Sequence, residues 1–220
     1  MFTSAGNPAT WTSILLKQNI TVVHVVSSSK FAKKAEECGC DAVVAEGFEA
    51  GGHNGREETT TMVLVPLVCN AIKIPVIAAG GIATGKQMLA AIVLGAEGVQ
   101  VGSRFVASHE ASPHMNFKNA VLQAKERDTM VTLKELTPVR MMKNEFFEKV
   151  QKAEKSCVGK DELQKLLGKG RAKKGMFEGD LQEGELEIGQ VSAGITNIKP
   201  AGDIIAEVYT EFVNSVKSLQ

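Results

Sequence analysis

The sequence lacks most of the features that would assign a function at a glance. Aromatic residues make up only 5% of the 220, too few to build a base-stacking surface. Basic and acidic residues balance at 25 each, for a formal net charge of +0. Nucleic-acid binders usually show a basic excess, so that class is not expected. The four cysteines, Cys38, Cys40, Cys69 and Cys157, form no C-x-x-C pair, and no histidine stands at a zinc-like spacing from them. They read as reduced, partly buried thiols of a cytoplasmic protein, and no metal centre is expected. No apolar run reaches the ~18 residues that a membrane span requires. The N-terminus shows no basic region followed by a long apolar stretch, so no signal peptide is read there. There is no G-x-S-x-G, and no serine, cysteine or lysine sits where a nucleophile would be argued.

What is present describes a globular α/β chain. Hydrophobic residues at 44% and charged residues at 23% suit a packed core rather than disorder. The first 110 residues alternate short β-branched runs with helical patterns. Strands are expected over residues 21–27, 41–45, 75–79 and 98–102. Helices are expected over 30–39, 60–72 (capped by Thr59 or Thr60) and 84–94 (capped by Thr84 and ended by Gly95). Met1 to Ser4 reads as the tail of one more strand, and Pro8 opens a helix through Leu16. These strands are continuously apolar, the mark of a parallel sheet buried on both faces. Their repeat of about 30 residues is the βα unit. From residue 113 to 175 the chain reads as helical, polar and rich in lysine and glutamate. Residues 176–198 read as loop with a short turn, and 199–217 as a closing amphipathic helix. The division expected is 1–112 for the βα units and 113–220 for a helical C-terminal region. Within the second part, residues 169–175 are basic and glycine-punctuated, which suits a solvated loop or a phosphate contact.

Three turns could carry chemistry. Gly80-Gly81 closes one buried strand and leads into the helix capped by Thr84. Glycines there allow backbone N–H groups to approach an anion, and the helix N-terminus adds partial positive charge. Gln100-Val101-Gly102-Ser103 ends the next strand in the same way. Two such turns on consecutive strand ends, with the Ser103 hydroxyl as an added donor, suit phosphate binding at the end of a (β/α)8 barrel. The third turn, Glu49 to Gly55, places His53 among glycines. A histidine there suits proton transfer, or else serves as a loop residue hydrogen-bonded to backbone. Glu46, just before this turn, could orient a histidine, bind ribityl hydroxyls or form a salt bridge. His24 reads as a satisfied strand histidine. His109 and His114 carry no assigned role.

In this order, the three turns resemble the nitronate monooxygenase (2-nitropropane dioxygenase) family, whose superfamily includes the flavin-dependent enoyl-acyl-carrier-protein reductases. Residues 3–8 look like the turn after the family's fourth strand. Glu46 to Gly55 looks like its histidine signature, and Gly80-Gly81 with Gln100 to Ser103 look like its FMN phosphate loops. Pro138-Val139-Arg140 and Gly189-Gln190 resemble motifs of its C-terminal part. The resemblance implies a (β/α)8 TIM-barrel type fold, here truncated to about the C-terminal half of the barrel plus a helical C-terminal region. It implies FMN as cofactor, held at its phosphate by Gly80, Gly81, Gly102 and Ser103, with Gln100 in the binding stretch. His53 is implied as the catalytic histidine. The implied reaction is oxidation of small nitronates with O2. The alternatives are enoyl-thioester reduction with NAD(P)H, and an inactive truncated member. Open barrel edges would favour self-association.

Overall fold

The computed structural model describes residues 1–219. Contacts divide them into two compact units, each assembled from separated segments. The first holds Met1–Phe48, Glu57–Val101 and the chain from Val208 onward; the second holds Glu49–Arg56 and Gly102–Glu207.

The first unit is a parallel sheet with helices. Its strands are β1 (Phe2–Thr3), β2 (Val23–Val26), β3 (Ala42–Glu46), β5 (Val76–Ala79) and β6 (Gly98–Gln100), hydrogen-bonded in that order. Strand β4 (Gly52–His53) belongs to the second unit. Between these strands run α1 (Thr12–Leu16), α2 (Ser29–Glu37), α3 (Thr61–Cys69) and α4 (Gly85–Val93). Each strand is paired only with parallel neighbours, in the register Val43 opposite Val76 and Ala79 opposite Gln100. Alternation splits the strand side chains between two apolar clusters. Val43, Ala45 and Ala78 join Ala32, Ala35, Leu64, Val65 and Val68 of the helices. Val23, Val44 and Ala79 pack with one another on the opposite face. Burial on both faces is the reason the strands are mainly apolar, with His24 inside β2 and Glu46 and Gln100 at strand ends among the polar exceptions. The expected strands and helices are all found, shorter by a few residues at most ends. Pro8 opens a single 3-10 turn, Pro8–Thr10, ahead of α1. Ser28 and Thr84 cap α2 and α4, and Thr84 completes a capping box with Gln87.

The second unit corrects the expectation that residues 113–175 are wholly helical. Helices α5 (Ser103–Val106), α6 (Met115–Gln123), α7 (Glu145–Lys155) and α8 (Lys160–Leu167) are present. Between α6 and α7, however, lie β7 (Thr129–Thr132) and β8 (Val139–Met142), an antiparallel pair to which β4 adds as the third strand. The strands form because Leu133, Val139 and Met141 bury against Phe146, Phe147 and Val150 of α7. That packing outweighs the modest β-propensity of a sequence such as Val-Arg-Met-Met. Residues 176–198 are mostly irregular, with a 3-10 turn at Gln190–Gly194, and α9 (Ala201–Ser218) closes the chain. The four cysteines are free thiols, with Cys40 buried and Cys157 exposed.

Candidate active site

The histidine turn is held by backbone contacts within the second unit. His53 pairs with Val139 and Gly52 with Arg140 in the β4–β8 ladder. Asn54 extends the pairing, its N–H donating to Pro138 O at 2.8 Å while its side-chain amide donates to Ala50 O at 2.9 Å. On the other side of the turn the chain runs against residues 188–190. A Cβ on Gly51 would lie 2.4 Å from the carbonyl carbon of Ile188, so only glycine fits there. Gln190 N donates to Glu49 O at 2.9 Å, and Gly189 N donates to Ser103 Oγ, also at 2.9 Å. The structure therefore joins three stretches that lie far apart in the chain: the Glu49–His53 turn, Ser103 and Gly189-Gln190. Arg140 sits buried beneath, donating to Thr129 Oγ1 at 3.3 Å.

His53 itself is exposed and lines a cavity of about 570 Å³. Facing the same cavity are Glu185, Glu187, Arg171 and Lys160. Sequence reading singled out neither glutamate. Their signal was weak, because Glu-x-Glu in a glycine-spaced segment resembles any solvated loop. Glu185 is only 6% exposed, and burial beside the charge of Glu187 pushes its carboxyl up to about 7, against the opposing pull of Arg171. Burial also raises Glu187, and the neighbouring His53 offsets part of that rise. A Glu187 carboxylate oxygen lies 2.6 Å from where a Gly52 Cβ would stand, so Gly52, at φ +77°, leaves the room this side chain occupies.

In the first unit, the turn after β5 holds Gly80 at φ +85° and Gly81 at φ +71°, both left-handed. The Thr61 hydroxyl, at the start of α3, donates to Gly80 O at 2.9 Å and ties this turn to the helix. The amides of Gly80, Gly81 and Ile82 meet no acceptor among the described residues. Backbone donors left open in a glycine turn suit an anion. Gln100 is the last residue of β6, opposite Ala79. Gly102 precedes α5 with open space where its Cβ would be. Ser103 accepts from Gly189 and so keeps its own O–H free to donate. The amides of Gly102 and Ser103 likewise meet no acceptor among the described residues.

Glu46, at the end of β3, forms no ion pair among the described residues, and burial pushes its carboxyl up to about 7. His24 is buried and satisfied by Thr3 Oγ1 at 2.7 Å. His114 caps α6 through Nδ1. In the basic stretch, Lys173 and Lys174 pair with Glu178 and Asp180 at 3.2 and 3.0 Å. Arg171 spends its guanidinium on the Leu166, Leu167 and Glu183 carbonyls and on the Glu183 carboxylate. No group of side chains able to hold a metal ion occurs among the described residues, and no helix there is long and apolar enough to cross a membrane.

The profile of the family described as nitronate monooxygenase matches residues 1–211, nearly the whole chain. The chain belongs to the nitronate monooxygenase family. A relative in Staphylococcus saprophyticus, named probable nitronate monooxygenase, is 42% identical over 147 residues, which are 62% of this chain and 41% of that protein. The match thus spans less than half of this relative's length. Among solved structures, FabK from Thermotoga maritima superposes with a TM-score of 0.94 at 42% identity, over 99% of this chain and 69% of that one. A nitroalkane oxidase from Streptomyces ansochromogenes superposes with a TM-score of 0.82 at 25% identity, over 100% of this chain and 64% of that one. The mixed α/β fold with its parallel sheet agrees with these family neighbours.

Proposed function

We propose that this chain is the FMN-binding and catalytic portion of a flavin-dependent oxidoreductase that oxidises small nitronates with O2. The observation that carries the reading is the family match over residues 1–211, with His53 standing on an open cavity. Gly80 and Gly81 offer the FMN phosphate amides that meet no acceptor among the described residues, as do Gly102 and Ser103; Ser103 adds a hydroxyl donor, and Gln100 belongs to the same binding stretch. Bound FMN supplies the redox chemistry. The protein's part is placement and proton handling. His53, with its backbone pinned by β8, holds or takes a proton at its imidazole while its exposed ring remains open to substrate. The visible spectrum of the purified chain, before and after addition of FMN, tests this. A flavin band that stays with the protein through gel filtration is expected. A chain that retains no flavin would remove the cofactor assignment.

A second reading, reduction of an enoyl thioester with NAD(P)H, is favoured by the 42% identity to FabK across 99% of the chain. NAD(P)H oxidation that depends on an enoyl thioester would select it, and O2 uptake that depends on a nitronate would select the first.

A further inference from the structure

We propose that Glu185 and Glu187 are the charge-selectivity residues of the His53 cavity, favouring a substrate whose reacting end is uncharged and disfavouring an anionic one. The inference rests on the reading that this cavity receives the substrate. Its ground is the carboxylate pair on the wall that holds the histidine, opposed only in part by Arg171 and His53. The two side chains come from one extended stretch, two residues apart, and both face the cavity. Neither makes a hydrogen bond or an ion pair among the described residues. Arg171, the cation that acts on Glu185, is committed to three carbonyls and to Glu183, and its guanidinium stacks over the Phe146 ring with 4.7 Å to the centroid. The other charged groups around the cavity, Lys160 and Glu135, are exposed and of opposite sign, so water screens them and they nearly cancel. A negative charge placed beside His53 would meet one or two like charges in a partly desolvated space, where repulsion is strongest.

The selectivity changes with pH in a defined direction. Burial holds Glu185 at about 7 and raises Glu187 above the usual carboxylate range. Below 7 Glu185 keeps its proton and the wall carries less negative charge. As pH rises through 7 the wall gains negative charge, and an anionic ligand is pushed out while a neutral one is unaffected. Nitronates are anions and enoyl thioesters are not, so nitronate oxidation in this cavity calls for the acid side of this range, where Glu185 is neutral, while an enoyl thioester is accepted on either side.

Crotonamide and crotonate, nearly isosteric and differing in charge, are suitable probes. Their binding to the full chain would be followed by NMR at about pH 6 and pH 8.5, with the His53 ring signals as reporter. Crotonate stays anionic throughout this range. Crotonamide should shift the His53 signals with similar affinity at both pH values. Crotonate should weaken by roughly tenfold or more in alkali, the size of a one-unit coupling. In the double variant E185Q/E187Q most of that loss should vanish. The single variant E185Q, which removes the group that stands at about 7, should lose much of the pH dependence by itself and serves if the double variant does not fold. Equal loss of crotonate binding in the native chain and in these variants would overturn the inference while leaving the cavity as the substrate site. Failure of both probes to reach His53 would overturn the assignment of the cavity along with it.

Discussion

Single residues divide into those whose chemistry is at stake and those whose shape is. His53 is of the first kind. His53→Ala should leave flavin content unchanged and lower turnover by roughly 10²–10⁴-fold, the usual contribution of a positioned acid–base group. Steady-state kinetics beside an absorbance ratio would check it, and unchanged turnover would end the proposed role. Gly81 is of both kinds. At φ +71° a valine is strained by about 1–2 kcal/mol, and the strain would shift the turn that carries the open amides. Gly81→Val should therefore lose FMN during gel filtration at protein concentrations where the native chain retains it. Gly51 is a shape residue. A methyl there would be driven into the Ile188 backbone, so Gly51→Ala should destabilise by about 1–3 kcal/mol in urea titration. All three positions stood out in the sequence as members of glycine-rich turns. Glu185, Glu187 and Thr61 did not, because what distinguishes them is burial and neighbours from other segments.

Elements differ in how much of their cause is local. Helix α4 is an example of local cause: Thr84 accepts from Gln87 N, and Gln87 Oε1 accepts in return from Thr84 N, at 3.3 and 3.1 Å. Such a reciprocal cap is readable as T-x-x-Q, and Thr84→Ala should lower stability by about 1 kcal/mol, measurable as a shift in the urea midpoint. The strands β2, β3, β5 and β6 are nearly as legible, because burial on two faces demands unbroken apolar runs. Strands β4, β7 and β8 are the opposite case. Two residues of glycine and histidine make no strand alone, and β8 carries a buried arginine. These three exist because they complete one another's hydrogen bonds over the α7 face, a long-range requirement with no local trace.

For the molecule as a whole, one buried and one half-buried carboxyl, Glu185 and Glu46, set a pH dependence of stability. Glu46 and Glu185 both stand near 7 when folded and near the ordinary glutamate value when unfolded. Between those values the folded chain binds more protons than the unfolded one, so stability falls as pH rises from about 4.5 to 7, and the loss is complete above that range. Glu46→Gln and Glu185→Gln should each raise the melting temperature at about pH 8 and change it little at about pH 5. A gain of the same size at both pH values would contradict the assigned cause, which is the burial of charge.

The βα rhythm of the first hundred residues, the helix caps, the glycine turns and, through their order, the family are all legible in the residues alone. Each of these depends on neighbours a few residues apart, or on a periodic apolar pattern that any sheet buried on both faces must show. Folding was needed to show that Glu49–Arg56 joins the second unit, that Gly189 hydrogen-bonds Ser103 across 86 positions, and that two glutamates line one cavity with His53. Those outcomes turn on which distant backbones meet closely enough to exclude a methyl group, and on which carboxylates lose their water when they do.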